Sequence, residues 1–203
     1  MSKGIINKMT NSMSTKRLIL WVLFLIAIDQ WIKIVIVNLF LDTQFSIIPN
    51  IFYFYPIQNI YGGWFQSMAG HVMPIYINIP IRLFALLFVL VMHRYVAFYT
   101  YNWNKHRGLF DIVLMFALAG FVCSFIDLIF WGGTWDYILL FDWFVFDLKD
   151  MYLNIGFSVP FVLYIIAYCI FYYYRLPKEE RKIETKKTAF IPWIRAGLPM
   201  KPK

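Results

Sequence analysis

Charged residues are scarce in this chain: Asp, Glu, Lys and Arg make up only 15% of its 203 residues, whereas a soluble domain has roughly 25%. Its two cysteines are too few for a disulfide scaffold, and no repeat or low-complexity tract is visible. Hydrophobic residues, in contrast, reach 61%, aromatic residues 21% and the mean hydropathy +0.63. These values exclude a disordered chain, and a soluble globule of this size cannot bury so much apolar surface. The sequence therefore predicts an integral membrane protein.

Four apolar stretches are each long enough to cross a bilayer as a helix, which takes about 20 residues. They are residues 18–40, 74–99, 109–131 and 151–174. The expected fold class is an all-α membrane protein with four transmembrane helices, forming one unit over 18–174. A basic leader, 1–17, precedes this unit, and a basic tail, 175–203, follows it and is expected to be mobile. The first apolar run is too long for a signal-peptide core and lacks a small-residue cleavage site, so we expect it to be a retained helix.

Two segments outside these spans have their own character. Residues 44–66 alternate loosely, are rich in Ile, Phe and Tyr, and are interrupted by Pro49, Pro56 and a Gly pair. This pattern predicts a small extracytoplasmic β element between the first and second spans. Residues 132–150 mix Asp with Trp and Phe, a composition that suits the interfacial layer of the membrane.

The basic residues are distributed unevenly along the chain. Most Lys and Arg residues lie in the leader, in the loop after the second span and in the tail, whereas the other two loops are acidic. The positive-inside rule then places both termini in the cytoplasm and the acidic loops outside. The net charge of +8 is better explained by anionic lipid headgroups than by nucleic acid.

Several ionisable residues lie within the spans, where each one is costly. Asp29 and Lys33 are spaced i, i+4 and share one helix face, either as a pair that orients the helix or as the lining of a polar cavity. Lys33 is expected to reach Asp127 on the third span as well. Arg82 is expected to extend its side chain to the membrane surface, and Asp111 to cap the third helix.

Asp136 and Asp150 flank the outer membrane surface, one just after the third span and one at the start of the fourth. Antiparallel helices joined by a short loop bring such positions together. Two carboxylates in a partly dehydrated site share a proton, because both cannot ionise cheaply. In such a pair one carboxylate activates a water molecule while the other carboxyl protonates a substrate carbonyl. The alternative from spacing alone is that both acids are solvated charges of an outer loop.

Four short motifs occur in order along these spans: Asp29-Gln30-Trp31-Ile32-Lys33, Asn59 with Gly62, Gly63 and Trp64, Asp127 with Gly132 and Asp136-Tyr137, and Phe146-Asp147-Leu148-Lys149-Asp150 with Gly156. In this arrangement the chain resembles a divergent member of the lipoprotein signal peptidase family (signal peptidase II, peptidase A8) over roughly residues 18–174. The members of that family are four-helix membrane aspartyl proteases.

The resemblance implies that Asp136 and Asp150 are the catalytic pair of an aspartyl endopeptidase. It also implies a set of supporting residues around the pocket: Asp29, Lys33, Asn59, Gly62, Ser124, Asp127, Gly132 and Asp147. The implied substrate is a lipid-modified prolipoprotein, cut before its diacylglyceryl cysteine at the outer face of the bacterial cytoplasmic membrane. Membrane lipids are the other implied partner, and neither a metal nor an organic cofactor is implied.

The chain departs from the family pattern at four positions, which have Asn, Arg, Asn and Ala in the family: Ser124, Leu128, Asp147 and Lys149. The interval of 14 residues between Asp136 and Asp150 is also shorter than the family's. A cation at Lys149 favours the ionised form of Asp150 and opposes proton sharing. One alternative is therefore a catalytically impaired homologue that binds lipopeptides.

A small transporter is the other alternative, with Asp29, Lys33 and Asp127 as a proton or ion relay. Such a path requires polar side chains that continue to the cytoplasmic face. Apart from Asp111, the inner halves of the spans offer almost none. The sequence therefore favours the peptidase.

Overall fold

The computed structural model describes residues 13–61, 70–99, 107–166, 169, 177–181, 183 and 189–199. Within these residues the chain is mostly helical. The helices are α1 (Thr15–Leu39), α2 (Ile75–Tyr99), α3 (Arg107–Ile126), α4 (Leu148–Ile166) and the short α5 (Phe190–Arg195). Helix α3 continues directly into a π-helical turn, Asp127–Trp131.

Three of the helices are long and apolar enough to cross a membrane. These segments are Thr15–Leu39, Ile75–Tyr99 and Leu109–Trp131, and they agree with the first three predicted spans. Helix α4 begins at Leu148, three residues before the predicted start, and most of residues 167–176 lie outside the described part of the chain. Among the described residues α4 does not qualify as a span, so the fourth crossing stays a prediction.

A four-stranded antiparallel sheet lies beside the helices. Its strands are β1 (Phe45–Ile48), β2 (Phe52–Asn59), β3 (Thr134–Leu140) and β4 (Phe144–Phe146), in that spatial order. The β element predicted within 44–66 is present as β1 and β2. The all-α description is nevertheless incomplete, because residues 132–150, for which the composition predicted only an interfacial position, contain β3 and β4. The β3 sequence, TWDYILL, does not alternate strictly between apolar and polar residues, so it lacks the period-2 pattern that identifies a strand.

The pairing of β2 with β3 contains a bulge. Phe54 lies opposite Ile138 and Ile57 lies opposite Asp136, so β2 holds one residue more than β3 between these two pairs. The extra length includes Pro56, which has no N–H to donate to the ladder and is tolerated at a bulge. This register brings Asp136 close to the end of β2.

Helix α3 packs against α1, α2 and α4. It approaches α4 closely because glycine stands at the contact: a Cβ on Gly156 would lie 2.7 Å from the Cβ of Ala117, and one on Gly120 would lie 2.8 Å from Leu153. Small residues allow such close approach between membrane helices. The two helices therefore hold the ends of β3 and β4 in a fixed relation.

The C-terminal segment does not behave as expected of a mobile tail. Trp193 in α5 is 1% exposed and packs with Tyr95, Phe98 and Tyr99 at the end of α2. Its indole Nε1 donates a hydrogen bond to the carbonyl oxygen of Pro199 at 2.9 Å. The prediction of a mobile tail is therefore wrong for residues 189–199, because their aromatic side chains, not their charges, decide where they lie.

Candidate active site

Lys33 lies at the centre of a buried cluster of carboxylates. Its Nζ is 2.9 Å from Oδ2 of Asp29 and 2.6 Å from Oδ2 of Asp127, as the helix positions predict. A third contact, 2.7 Å to Oδ2 of Asp147, comes from the residue before α4. All four side chains are fully buried, so the lysine joins α1, α3 and the start of α4 through ion pairs without access to water.

Lys149 forms a second centre of positive charge beside the first. Its Nζ lies within 4 Å of four carboxylates: 2.8 Å from Asp147, 3.4 Å from Asp127, 3.6 Å from Asp150 and 3.8 Å from Asp136. Its backbone N–H donates to Oδ1 of Asp29 at 3.1 Å. The sequence places this cation beside Asp150, and the structure adds that it lies between Asp150 and Asp136.

The start of α4 positions Asp150 through a reciprocal cap. The N–H of Asp150 donates to Oδ1 of Asp147 at 3.1 Å, and the N–H of Asp147 donates to Oδ2 of Asp150 at 3.4 Å. This is a capping box built from two aspartates. The N–H of Leu148, also unpaired within the helix, donates to the hydroxyl of Tyr137 at 3.3 Å. These bonds explain why α4 begins at Leu148, earlier than hydropathy predicts.

Asp136 on β3 lies beside Asp150. One carboxylate oxygen from each of Asp136, Asp147 and Asp150 lies within 4.8 Å of the other two. The Asn59 side-chain amide donates to Oδ2 of Asp136 at 3.1 Å, while Oδ1 is buried and has no hydrogen-bond partner among the described residues. The side chain of Asp136 is 6% exposed and that of Asp150 is 36% exposed, so the pair lies where the buried cluster meets the surface.

Burial and neighbouring charges shift the pKa values of Asp136 and Asp147 in opposite directions. Burial, with added repulsion from Asp150 and Asp147, raises the pKa of Asp136 to about 7. Burial also acts to raise the pKa of Asp147, but the ammonium groups of Lys149 and Lys33 outweigh it and hold that pKa below its ordinary value. Asp136 is therefore a group that keeps its proton to near neutral pH, whereas Asp147 is ionised.

Two groups of three carboxylates have the spacing that a metal ion uses. They are Asp29 with Asp127 and Asp147, and Asp136 with Asp147 and Asp150. The ammonium of Lys33 lies among the oxygens of the first group, and that of Lys149 among those of the second. A lysine of the chain therefore supplies positive charge at each of the two positions. That the reaction uses no metal ion stays a prediction.

Gln30 donates hydrogen bonds to two carboxylates of the cluster. Its place in the first sequence motif did not by itself predict this role. Its side-chain amide donates to Asp29 at 3.0 Å and to Asp127 at 3.2 Å. Its carbonyl oxygen accepts from the indole of Trp131 at 3.0 Å. The position next to Asp29 is the only signal in the sequence that points to it.

Arg82 does not extend to the membrane surface as predicted. Its guanidinium donates to Oδ1 of Asn78 at 2.7 Å and to the carbonyl oxygen of Ser124 at 2.8 Å, and it also contacts the Ser124 hydroxyl. Ser124, which was predicted to support the pocket, therefore binds a cation from α2. The prediction failed because a side chain that reaches a neighbouring helix has the same sequence context as one that reaches the headgroups.

The sequence also singles out two glycines, Gly132 and Gly62, and the acid Asp111. Gly132 has φ +65° and ends the π-helical turn, where the left-handed conformation favours glycine. Gly62 lies outside the described residues. Asp111 is not a helix cap, because α3 begins at Arg107, and its carboxylate accepts a hydrogen bond from the N–H of Met13.

The family model described as "Signal peptidase (SPase) II", Peptidase_A8, matches residues 21–171. The chain belongs to the signal peptidase II family. Signal peptidase II enzymes are membrane proteases that process lipoprotein precursors, and this protein shares the apolar helices such a role requires. The matched range contains every residue of the cluster described above.

Solved structures support the fold independently. Two are described as bacterial membrane enzyme structures obtained by the in meso method. One is 20% identical and has a TM-score of 0.54, with 78% of this chain and 96% of the other covered. The second is 17% identical, also with a TM-score of 0.54, and the match covers 82% and 98% of the two chains. No curated protein matches this signal peptidase II homologue.

Proposed function

We propose that this protein is an aspartyl endopeptidase that removes the signal peptide from lipid-modified prolipoproteins, cutting before the diacylglyceryl cysteine. The observation that carries the proposal is the pairing of Asp136 with Asp150, whose carboxylate oxygens lie within 4.8 Å. One acid is almost buried and the other is partly exposed. Such a pair holds one proton between two carboxyl groups, which is the state that peptide hydrolysis requires.

The reaction then needs only the pair and a water molecule. The ionised carboxylate takes a proton from the water, whose oxygen attacks the scissile carbonyl carbon. The protonated carboxyl gives its proton to the carbonyl oxygen. Collapse of the tetrahedral intermediate breaks the C–N bond, and the leaving amine takes a proton from the pair. The shared proton belongs to the pair, not to one residue.

The location of the pair suits a substrate that is anchored in the membrane. Asp136 lies on the sheet and Asp150 at the first turn of α4, and the adjacent Lys149 contacts Asp29 of α1 and Asp127 after α3. A diacylglyceryl group holds its cysteine at one depth in the bilayer, which lowers the cost of bringing the bond to the two acids. We infer that this site faces the outer side of the bacterial cytoplasmic membrane, with both termini in the cytoplasm, because of the distribution of Lys and Arg.

Replacement of each acid by its amide tests the proposal. In lipid bilayers, Asp136→Asn and Asp150→Asn are expected to lower the rate of cleavage of a lipidated precursor peptide by at least about 100-fold, since each change removes a general acid or base. Asp142→Asn is the matched control: Asp142 is an exposed acid in the turn between β3 and β4, with a positive φ that Asn also adopts. Cleavage at the wild-type rate by either active-site variant refutes the protease.

A second candidate function is a lipopeptide-binding homologue with impaired catalysis. The observation that favours it is the ammonium of Lys149, 3.6 Å from Asp150 and 3.8 Å from Asp136, because a cation so close opposes proton sharing. Under this hypothesis the wild-type protein binds the precursor without cutting it, and Lys149→Ala gains cleavage. The same assay therefore separates the two functions.

A further inference from the structure

The five carboxylates around the site outnumber the lysines that balance them. The acids are Asp29, Asp127, Asp136, Asp147 and Asp150, and the ammonium groups that contact them are those of Lys33 and Lys149. If every acid were ionised, five negative charges would face two ammonium groups in a mostly buried volume, and the guanidinium of Arg82, which also interacts with Asp127 and Asp150, would still leave an excess of negative charge. Buried like charges are avoided by proton uptake, so some of these acids retain protons at neutral pH.

The two lysines serve different parts of the cluster. Lys33 contacts Asp29, Asp127 and Asp147, and among the described residues its salt bridges do not include the Asp136–Asp150 pair. Lys149 contacts both members of the pair as well as Asp147 and Asp127. Its side chain is only 6% exposed, so water screens its charge weakly.

We propose that Lys149 is a positioning residue that keeps the Asp136–Asp150 pair at one proton, not two, at neutral pH. Without this ammonium the pair would face Asp147 and each other across a few ångströms, and it would take up a second proton to relieve the repulsion. A doubly protonated pair has no carboxylate to act as the base. The consequence for catalysis rests on the proposed function, whereas the change in proton uptake does not.

Other polar and charged groups near the pair do not replace the effect of the Lys149 ammonium on its protonation. Asn59 on β2 donates to Asp136 but is neutral. Arg82 on α2 interacts electrostatically with Asp150 and Asp127 and donates hydrogen bonds to Asn78 and Ser124, whereas Lys149 contacts both acids of the pair directly. On α4 itself, Lys149 is the only Lys or Arg among residues 148–166.

Infrared titration of the purified full-length protein in lipid tests the inference without requiring activity. The stretching band of protonated carboxyl groups is followed against pH, and the part contributed by the pair is identified as the difference from Asp136→Asn and Asp150→Asn. In Lys149→Met, a neutral side chain of similar length, the midpoint of this band is expected to move to higher pH by at least about 1 unit. Lys149→Arg is expected to restore the wild-type midpoint, because it keeps the charge. Lys16→Met, the same change at an exposed position near the start of α1, is the control and shifts nothing.

A double variant separates charge from packing. Asp147→Asn with Lys149→Met removes one charge of each sign, and Asn retains the ability to cap α4. The midpoint is expected to return more than halfway to the wild-type value. A midpoint in Lys149→Met equal to that of wild type, or a double variant as displaced as the single one, overturns the inference.

The pH dependence of cleavage supplies the catalytic readout. If the protein is a protease, the whole profile of kcat/KM moves to higher pH in Lys149→Met, whereas a uniform loss of rate without displacement indicates a structural role and contradicts the inference. A gain of cleavage at every pH also contradicts it and supports the impaired homologue. Absence of cleavage by the wild type refutes the proposed function alone, because the infrared midpoints still decide the role of Lys149.

Discussion

At the level of single residues, Asp147 both caps a helix and binds two ammonium groups. Its Oδ1 caps α4 by accepting the N–H of Asp150, and its Oδ2 accepts from both Lys33 and Lys149. The same carboxylate therefore fixes where a helix begins and where two ammonium groups lie. Buried charges that are paired and hydrogen-bonded in this way cost far less than isolated ones.

The raised pKa of Asp136 predicts how activity depends on pH. Burial raises this pKa from 3.8 to about 7, so the carboxyl is protonated below that pH and loses its proton as the pH rises through it. In the proposed reaction the pair then no longer holds the proton that the substrate carbonyl oxygen receives. We expect kcat/KM for a lipidated precursor to fall above about pH 7 in the wild type and in Asp142→Asn alike. An activity that continues to rise well above neutral pH would contradict a shared proton on this pair.

Much of the site was predictable at this scale, and the failures have a common cause. The depths of Lys33, Asp29 and Asp127 on their helices were enough to predict their contacts. The sequence does not show which neighbouring helix or strand a given side chain contacts. For that reason the contact of Arg82 with Ser124 was missed, and Lys149 was recognised as a neighbour of Asp150 without its contact to Asp136.

At the scale of elements, the contact of α3 with α4 depends on glycine. Gly156 is buried against Ala117, and the nearest atoms include the backbone of Ala117 as well as its Cβ, which cannot move without displacing a helix. Since α4 carries Asp150 and α3 leads through its π-helical turn to β3, this contact determines how the two acids meet.

Gly156→Ala is therefore expected to destabilise the protein and to reduce activity. The added methyl would lie 2.7 Å from Ala117, and overpacking of this kind costs about 1–3 kcal/mol. Thermal unfolding in detergent and the cleavage rate measure the effect. Ser158→Ala, an exposed position on the same helix, serves as the control. Equal melting temperatures for the two variants would show that the helices do not approach so closely.

Elements with a strong hydropathy signal were predicted, and those without one were not. The first three helices follow from apolar runs longer than a bilayer needs. β1 and β2 follow from the Ile, Phe and Tyr residues of a loosely alternating segment, with Pro49 between the two strands and Pro56 at the bulge of β2. β3 and β4 were not predicted because aspartates interrupt the segment: Asp136 of β3 belongs to the acid pair, and Asp142 lies in the turn between the strands.

Helix α5 gives a further prediction for an element. Trp193 packs among Tyr95, Phe98 and Tyr99 and is almost fully buried, and loss of a buried tryptophan costs about 3 kcal/mol. Trp193→Ala is expected to lower the thermal stability of the protein in detergent. Ile191→Ala, on the exposed side of the same helix, is expected to leave stability unchanged. A Trp193→Ala protein as stable as the wild type would indicate that α5 does not dock on α2.

At the scale of the whole molecule, the uneven distribution of charge predicts one orientation in the membrane. Lys and Arg dominate both ends of the chain, whereas the turn between β3 and β4 carries Asp142. The sheet and the acid pair are expected on the outer side, opposite the docked C-terminal segment.

Labelling of single cysteines tests this orientation. In a chain with Cys123→Ala and Cys169→Ser, Asp142→Cys is expected to react with a membrane-impermeant thiol reagent applied to intact cells. Lys178→Cys, also exposed, is expected to react only after the cells are opened. The reverse pattern would place the site on the cytoplasmic side and exclude a substrate that has already been exported.

The pairing of β2 with β3 has a consequence for biosynthesis. These strands are separated in the chain by α2 and α3. The contact of Asn59 with Asp136 therefore forms only after α3 has been synthesised, and the contact of Asp136 with Asp150 forms only after the first turn of α4. During synthesis on the ribosome, the proposed acid pair is therefore incomplete until α4 begins to form. Chains that stop before α4 are expected to lack the proposed cleavage activity.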